Sequence, residues 1–488
     1  MKRFIFTIMI LAIASTVMSA PYASRISVDQ IQISQGGHLT INYFINEAGG
    51  TATINIIKVS DSSVVATFAG TATKGANSVI WNGTVNNGAG AQVPAGNYRV
   101  KISASATKPA GWAEIASNSS LGNYVPLANA TIYQTMWDGF SPMEFLIQAD
   151  TNKEGFGYIL VSTSYVTPRV DGHVVFNPDL SCYDGGNGQT TWLNYPGTSA
   201  NNQGVWGNCF DPDDSDYVWV CGQSSTTNVM YGKWNDTTLV DKTGAATTEM
   251  ANARDIFVRK EGGTKYAYVT KGSSILYKCT LDASNIVQAS PVNIFGLTDT
   301  LRYGKGVDFD ASGNLYWTSR YNNSTSGNGG AVFRWDKAQI EGATVGSLTE
   351  ANATWAVNMP GSNAEGVAIT PNGNVYACVV NEDPTNDGSL RGIYLIGNVS
   401  TPTIAKDLTV TDRVYAFYGT DFATALSGFG IGLGSDIAGN IYFSDRGQEQ
   451  VRCIGPGGTT NVAVVAPTSQ NFEIVFGSLA VKNWAIYE

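Results

Sequence analysis

Lys305-Gly306-Val307-Asp308-Phe309-Asp310-Ala311-Ser312-Gly313-Asn314-Leu315-Tyr316 reads as a strand, a tight turn and a second strand. The Gly-Asn step reverses the chain, and the apolar positions on either side suit strands packed between sheets. The same phrase returns as Glu365-Gly366-Val367-Ala368-Ile369-Thr370-Pro371-Asn372-Gly373-Asn374-Val375-Tyr376, and looser copies extend from residue 144 to residue 448. Aligned on the aromatic of the second strand, the copies fall at Tyr158, Tyr217, Tyr268, Tyr316, Tyr376 and Tyr442. A repeat of roughly 50 to 65 residues built from strands and turns is that of a β-propeller. Six copies predict six blades over residues 125–488. A ring of sheets must protect its open edges. Ala128 to Gln134, Phe472 to Phe476 and Ala480 to Tyr487 are the segments expected to complete a blade from both ends of the chain.

Composition agrees with an all-β chain: 54 glycines and 16 prolines accompany only 14% charged residues, and no long segment has helical periodicity. A net charge of −10 argues against a nucleic-acid partner, which would need clustered Lys and Arg. Met1-Lys2-Arg3, an apolar run from Phe4 to Val17, and the small residues Ser19-Ala20 read as a signal peptide over residues 1–20. The expectation is a secreted, periplasmic or cell-surface protein. No later stretch reaches the ~18 to 20 apolar residues a membrane span requires.

Of six cysteines, Cys221 and Cys378 fall in second strands and Cys279 and Cys453 in third strands of different repeats. Equivalent positions in separate blades are too far apart to bond, so buried thiols are expected. Cys182 and Cys209 are the first pair to test for a disulfide.

Residues 25–105 alternate apolar and polar side chains in short runs such as Leu39-Thr40-Ile41-Asn42-Tyr43-Phe44, separated by turns such as Asn86-Asn87-Gly88-Ala89-Gly90. That pattern predicts an immunoglobulin-like β-sandwich. Near its end, Val79-Ile80-Trp81-Asn82-Gly83 and Val93-Pro94-Ala95-Gly96-Asn97-Tyr98 resemble the Ig-like domain of flagellar hook-capping FlgD proteins. The resemblance implies a fold and a bacterial source, with Trp81 in the inter-sheet core. Residues 106–124, which include Pro109-Ala110-Gly111, read as a linker.

The six repeats resemble NHL-type propellers and the related gluconolactonase family. Side chains just before each inner strand should ring one mouth of the channel, and they read Glu144, Gln203, Asp255, Lys305, Glu365 and Phe429. The resemblance implies a divalent cation at this mouth, Ca²⁺ or Mg²⁺, with Glu144 and Glu365 as candidate ligands; Asp255, in the same ring, is the candidate catalytic base if the chain is a hydrolase. Gln203, Lys305 and Phe429 would then contact a ligand. Lys305 departs from the family pattern, and neither the family's Asn ligand nor its catalytic Asp can be placed. Asp211-Pro212-Asp213-Asp214-Ser215-Asp216 lacks the Gly and terminal Glu of a calcium-binding hand loop and reads as an acidic turn. With His38 and His173 the only histidines, a His-based zinc site and a Ser-His-Asp triad have few ways to form. Two functions follow. The favoured one is a non-catalytic exported binding or scaffold protein for a glycan, an envelope polymer or a protein. The alternative is a cation-dependent hydrolase or lactonase.

Overall fold

The computed structural model describes residues 20–117, 142–153, 155–163, 172–181, 205–222, 228–235, 239–297, 302–321, 330–360, 364–379, 390–416, 432–445 and 450–476. Almost all of the regular structure in them is strand. Six sheets begin with the inner strands Pro142–Ile147, Val205–Phe210, Ala253–Glu261, Arg302–Phe309, Ala364–Ile369 and Leu433–Ser435. Each inner strand packs on the next, and the sixth packs on the first, which closes a six-bladed β-propeller around a channel.

The repeated turn explains why inner and second strands pair as they do. Asp310 Oδ1 accepts the Ser312 and Asn314 amides, both at 2.9 Å, while Oδ2 accepts Asn314 Nδ2 at 2.9 Å and the Tyr316 hydroxyl at 3.1 Å. Gly313 sits at φ +88°, where a side chain would be strained. Asp436, Asn440 and Tyr442 repeat the arrangement in blade six. One aspartate thus neutralises the open backbone groups of its turn. Between blades, Tyr316, Trp317, Trp335 and Trp355 are fully buried, and Trp206 and Trp234 are also core residues.

At the N-terminus, Ala23–Val28, Leu39–Ile45 and Gly75–Trp81 form one sheet. Val64–Gly70, Thr51–Lys58 and the first part of Gly96–Ser117 form the other, widened by Phe472–Val475 and Gln32–Ser34. Ile41, Ile54, Trp81, Ile102 and Phe472 share the core between them.

Three expectations need correction. The stretch 106–124 is strand as far as Ser117, because Gly96–Ser117 runs straight out of the N-terminal module. It pairs antiparallel with Gln450–Val465, from Lys101 opposite Val465 to Ser117 opposite Arg452, and becomes the outer strand of blade six. Pro109 to Gly111 does not end the strand, because an irregularity opposite Pro456 to Gly458 absorbs it. Second, Phe472–Val475 belongs to the N-terminal module, pairing with Gly96 to Tyr98. The pull is hydrophobic: the Phe472 ring lies 6.0 Å from Trp81 and 6.1 Å from Tyr98. Residues 128–134 and 480–487 lie outside the described residues. Third, register places Leu160 and Trp219, not Tyr158 and Tyr217, at the position of Tyr316. A two-residue shift keeps the same face of a strand inward, so the aromatic pattern concealed it.

Candidate functional site

Register across the blades shows one recurring device. In blades one to five the inner strand carries a β-bulge near its start, between Pro142 and Phe145, Val205 and Gly207, Ala253 and Asp255, Gly304 and Val307, and Ala364 and Val367. Bulges re-aim side chains at barrel rims and next to functional sites. The aligned bulge residues are Trp206, Arg254, Lys305 and Glu365 in blades two to five. One position later stand Glu144, Gly207, Asp255, Gly306, Gly366 and Gly432, so blades one and three carry an acid where the other four carry glycine.

Opposite this position the second strand of all six blades supplies a small hydrogen-bonding side chain: Ser162, Cys221, Thr270, Thr318, Cys378 and Ser444, all fully buried. Ser162 Oγ accepts the Glu144 amide at 2.9 Å, Thr318 Oγ1 the Gly306 amide at 2.8 Å, and Ser444 Oγ the Gly432 amide at 3.0 Å. The Cys221 and Cys378 thiols receive the Gly207 and Gly366 amides. Ser162 also donates to Trp206 O at 2.9 Å, and Thr270 to Lys305 O at 3.1 Å, each reaching the next blade. These cysteines therefore stand in for hydroxyls. The five described cysteines are buried and form no disulfide, and Cys209 Sγ accepts the Val258 amide at 3.2 Å. Cys182 lies outside the described residues.

The channel holds a cavity of about 260 Å³ to which all six inner strands contribute; its acids are Glu144, Asp255 and Asp308. Asp255 accepts the Ile256 amide through Oδ1 and the Val307 amide of the next blade through Oδ2, both at 2.8 Å. Glu144 is held by the Phe145 amide at 3.2 Å and by that of Leu433 in blade six. Burial pushes Asp255 up to about 8 against the pull of those two amides, with the Asp308 charge adding to the rise. Asp308, which accepts the Phe309 amide at 2.7 Å, is pushed to about 7 by burial. Burial, then the neighbouring Asp255, raises Glu144 well above the carboxylate range. Near pH 7 Asp255 is mostly protonated and Asp308 about half so, and both carboxyls accept main-chain amides as hydrogen-bonding struts.

Lys305 and Glu365 do not join them. They pair with each other at 3.2 Å, nearly buried, at the bulge position. Burial lowers the Lys305 ammonium; the Glu365 charge opposes the shift, while Arg254 and Arg320 add to it. Arg254 lies 3.8 Å over the Trp206 ring. The expected single ring of acids is thus split into a channel group and a paired rim, because Glu144 and Asp255 stand one register position after Lys305 and Glu365. Among the described residues no three His, Cys, Asp or Glu side chains converge to hold a metal ion. Glu144 and Glu365, the candidate ligands, have different partners: the Phe145 amide for Glu144 and Lys305 for Glu365. Gln203 and Phe429 lie outside the described residues, and the bulge residue of blade two is Trp206. Sequence reasoning passed over Asp308 and Arg254. The acid-for-glycine exchange in blades one and three was visible in the repeat, and so was Asp308, as the acid of the quoted motif.

The acidic turn is as expected: Asp211 is bound by Lys265 at 2.8 Å and by Trp219 Nε1 at 2.9 Å. Gly207 offers a direct test of the close approach between blades two and three. A Cβ there would meet Asp255 Oδ1 at 2.2 Å and Asp255 Cα at 2.4 Å. Gly207→Ala is expected to cost roughly 3 kcal/mol by overpacking, read from denaturant midpoints; an unchanged midpoint would sink the packing described.

No protein family matches the chain, and no characterised sequence matches it. Among solved structures, a calcium-binding regucalcin from Agrobacterium tumefaciens is similar at 14% identity and a TM-score of 0.34, over 55% of this chain and 80% of its own. A Trichoderma reesei carbohydrate-active enzyme of family AA12 matches at 12% identity and a TM-score of 0.31, over 49% of this chain and 72% of its own. Its calcium structure gives 10% identity, also at 0.31, over 52% and 93%. Likenesses this slight say nothing about activity. No helix among the described residues is long and apolar enough to cross a membrane.

Proposed function

We propose that this is an exported, non-catalytic binding or scaffold protein, secreted, periplasmic or held at the cell surface. In this reading the propeller presents its bulged face to a glycan, an envelope polymer or a protein partner. The observation that supports it is the employment of the channel and rim acids: Asp255 ties blade three to blade four through the Val307 amide, and Glu365 is committed to Lys305. Groups needed as blade fasteners are poorly free to bind a cation or move a proton. The N-terminal module is read as an Ig-like sandwich of the hook-capping type. Trp81 is buried in its core, with its Nε1 donating to Thr84 O at 2.8 Å, and Gly83 turns at φ +77°. Its continuous strand into blade six suits rigid presentation better than a loose tether.

The alternative, a divalent-cation-dependent hydrolase or lactonase, draws on one observation: Asp255 and Asp308 have values near neutrality inside a cavity, as acid–base groups do. The exported protein, passed over immobilised glycans and envelope polymers, should be retained on a subset of them. It should release nothing from ester and lactone panels, with or without Ca²⁺ or Mg²⁺. Millimolar Ca²⁺ or Mg²⁺ is expected to move the melting temperature by less than about 1 °C, since a cation bound only by the folded state would raise it. Metal-dependent turnover that Glu144→Gln removes would replace the binding reading with the hydrolase.

A further inference from the structure

Ala20 to Ser24 form a buried wedge between the N-terminal module and the propeller. Ala20, Ala23 and Ser24 are 0% exposed and Tyr22 is 1% exposed. Asn440, at the end of the blade-six turn, donates from Nδ2 to Ala20 O at 3.2 Å and accepts Ala20 N on Oδ1 at 3.3 Å. Asn46, from the N-terminal module, donates to the same carbonyl at 3.4 Å and accepts the Tyr22 amide at 2.8 Å. The Tyr22 ring lies 6.1 Å from Phe156 beside blade one, and the Arg25 guanidinium lies 4.2 Å over Phe44. One asparagine from each side of the wedge therefore grips the backbone of residue 20. Asn440 Nδ2 also holds Asp436 Oδ2, at 2.8 Å.

From this grip we infer that the chain is cut between Ser19 and Ala20, one residue short of the end of the signal peptide read over residues 1–20, and that the Ala20 amino group so released is a structural ligand of the Asn440–Asp436 turn. The inference rests on the export reading. A signal peptidase and one water hydrolyse the Ser19–Ala20 amide: the carbonyl carbon takes the hydroxyl and becomes the Ser19 carboxylate. The nitrogen takes the proton and leaves as the Ala20 amine, which is largely ammonium at neutral pH. Ser19 supplies the small residue that precedes such a cut. A cut one residue later would place Pro21, which has no N–H and a locked φ, directly after the broken bond. A cut further along would discard every hydrogen bond that Ala20 makes. The new amine keeps a donor for Asn440 Oδ1, and its positive charge sits one asparagine away from Asp436. That carboxyl, raised to about 7 by burial, is drawn back toward its ionised form by a neighbouring cation.

Intact mass and N-terminal sequencing of the protein recovered from the medium or periplasm of an expressing bacterium test the inference. The expected first residue is Ala20. Export with a first residue at Pro21 or beyond, or upstream of Ala20, overturns the inference and leaves the export reading standing. A chain retained inside with residues 1–19 attached overturns both. The ligand role has its own readout, the rate at which an amine-selective acylating reagent modifies the Ala20 amine of the processed protein. If Asn440 holds the amine, it should react about tenfold or more slowly in the folded protein than in the unfolded one, because reaction waits on local opening. Asn440→Ala should restore much of the rate, whereas equal rates in folded and unfolded wild-type protein overturn the ligand role.

Discussion

The melting temperature is expected to fall as pH rises from 5 to 9, and Asp255→Asn should remove much of that slope. Asp255 titrates at about 8 in the folded chain and Asp308 at about 7, against an ordinary value of 3.8 for both. Between those limits the unfolded chain has lost its protons while the folded chain keeps them. Folding then takes up protons, so stability is greatest below the ordinary carboxylate value, declines across the window and levels off above about 8. One unit is worth about 1.4 kcal/mol, so the gap at Asp255 alone bounds its effect on the order of 5 kcal/mol. Asn at this site has one carboxamide oxygen for two amides, the Ile256 and Val307 N–H groups. The variant should therefore be about 1 kcal/mol less stable than the parent at pH 5. It should be the more stable protein at pH 9, where the parent carries a buried charge beside Glu144 and Asp308. Melting curves at fixed ionic strength should cross; parallel curves would refute the buried-acid account. The surface carboxylates Asp213 and Asp214, held below their ordinary value chiefly by lysine partners, act only at pH values below this window.

Gly457→Ala should be the most damaging glycine-to-alanine change among the described residues. A Cβ at residue 457 would lie 1.8 Å from Pro109 O and 2.9 Å from Gly111 O, and main-chain oxygens on a paired strand have little room to yield. The site lies where the paired strands cross from the N-terminal module into blade six. Lys108 pairs with the buried Glu47 near this crossing, and Arg452 Nε donates to Glu114 at 2.9 Å further on. The expected cost is roughly 3 kcal/mol, with relaxation setting how much more. Wild-type protein should unfold in one denaturant transition, since the two modules share strands and a wedge. The variant should show an earlier midpoint and separate into two transitions. An unaltered midpoint would mean that the strands do not pair as described.

The architecture was legible because the Gly-Val start of blades four and five and the Asp-to-Asn turn of blades four and six have local causes: a tight approach at the bulge and an aspartate that feeds its own turn. Connections between distant segments were not. Pro109-Ala110-Gly111 carries every local sign of a loop, and only pairing with residues some 340 positions later makes it strand. Phe472 looked like propeller material until the Trp81 core claimed it. At the site, Glu144 and Asp255 were found, but their level in the ring was not. An extra bulge residue moves a side chain by one place without changing the sequence pattern. Lys305 was read as an intruder among acids, and it proved to be Glu365's partner.

The pairing of blade six has a consequence for how the chain acquires its shape. Glu114 and Arg452, which face each other across the outer strands of that blade, are 338 residues apart. A growing polypeptide emerges N-terminus first, so residues 112–117 exist long before their partners do. Contacts of such separation carry a large loop-closure cost and fold slowly. The first five blades can collapse onto one another as they appear, but the circle stays open, with a bare strand edge exposed, until residues 450–456 arrive. Refolding from denaturant should therefore pass through a populated open-ring species, prone to pairing with other copies, whose closure is the slow step.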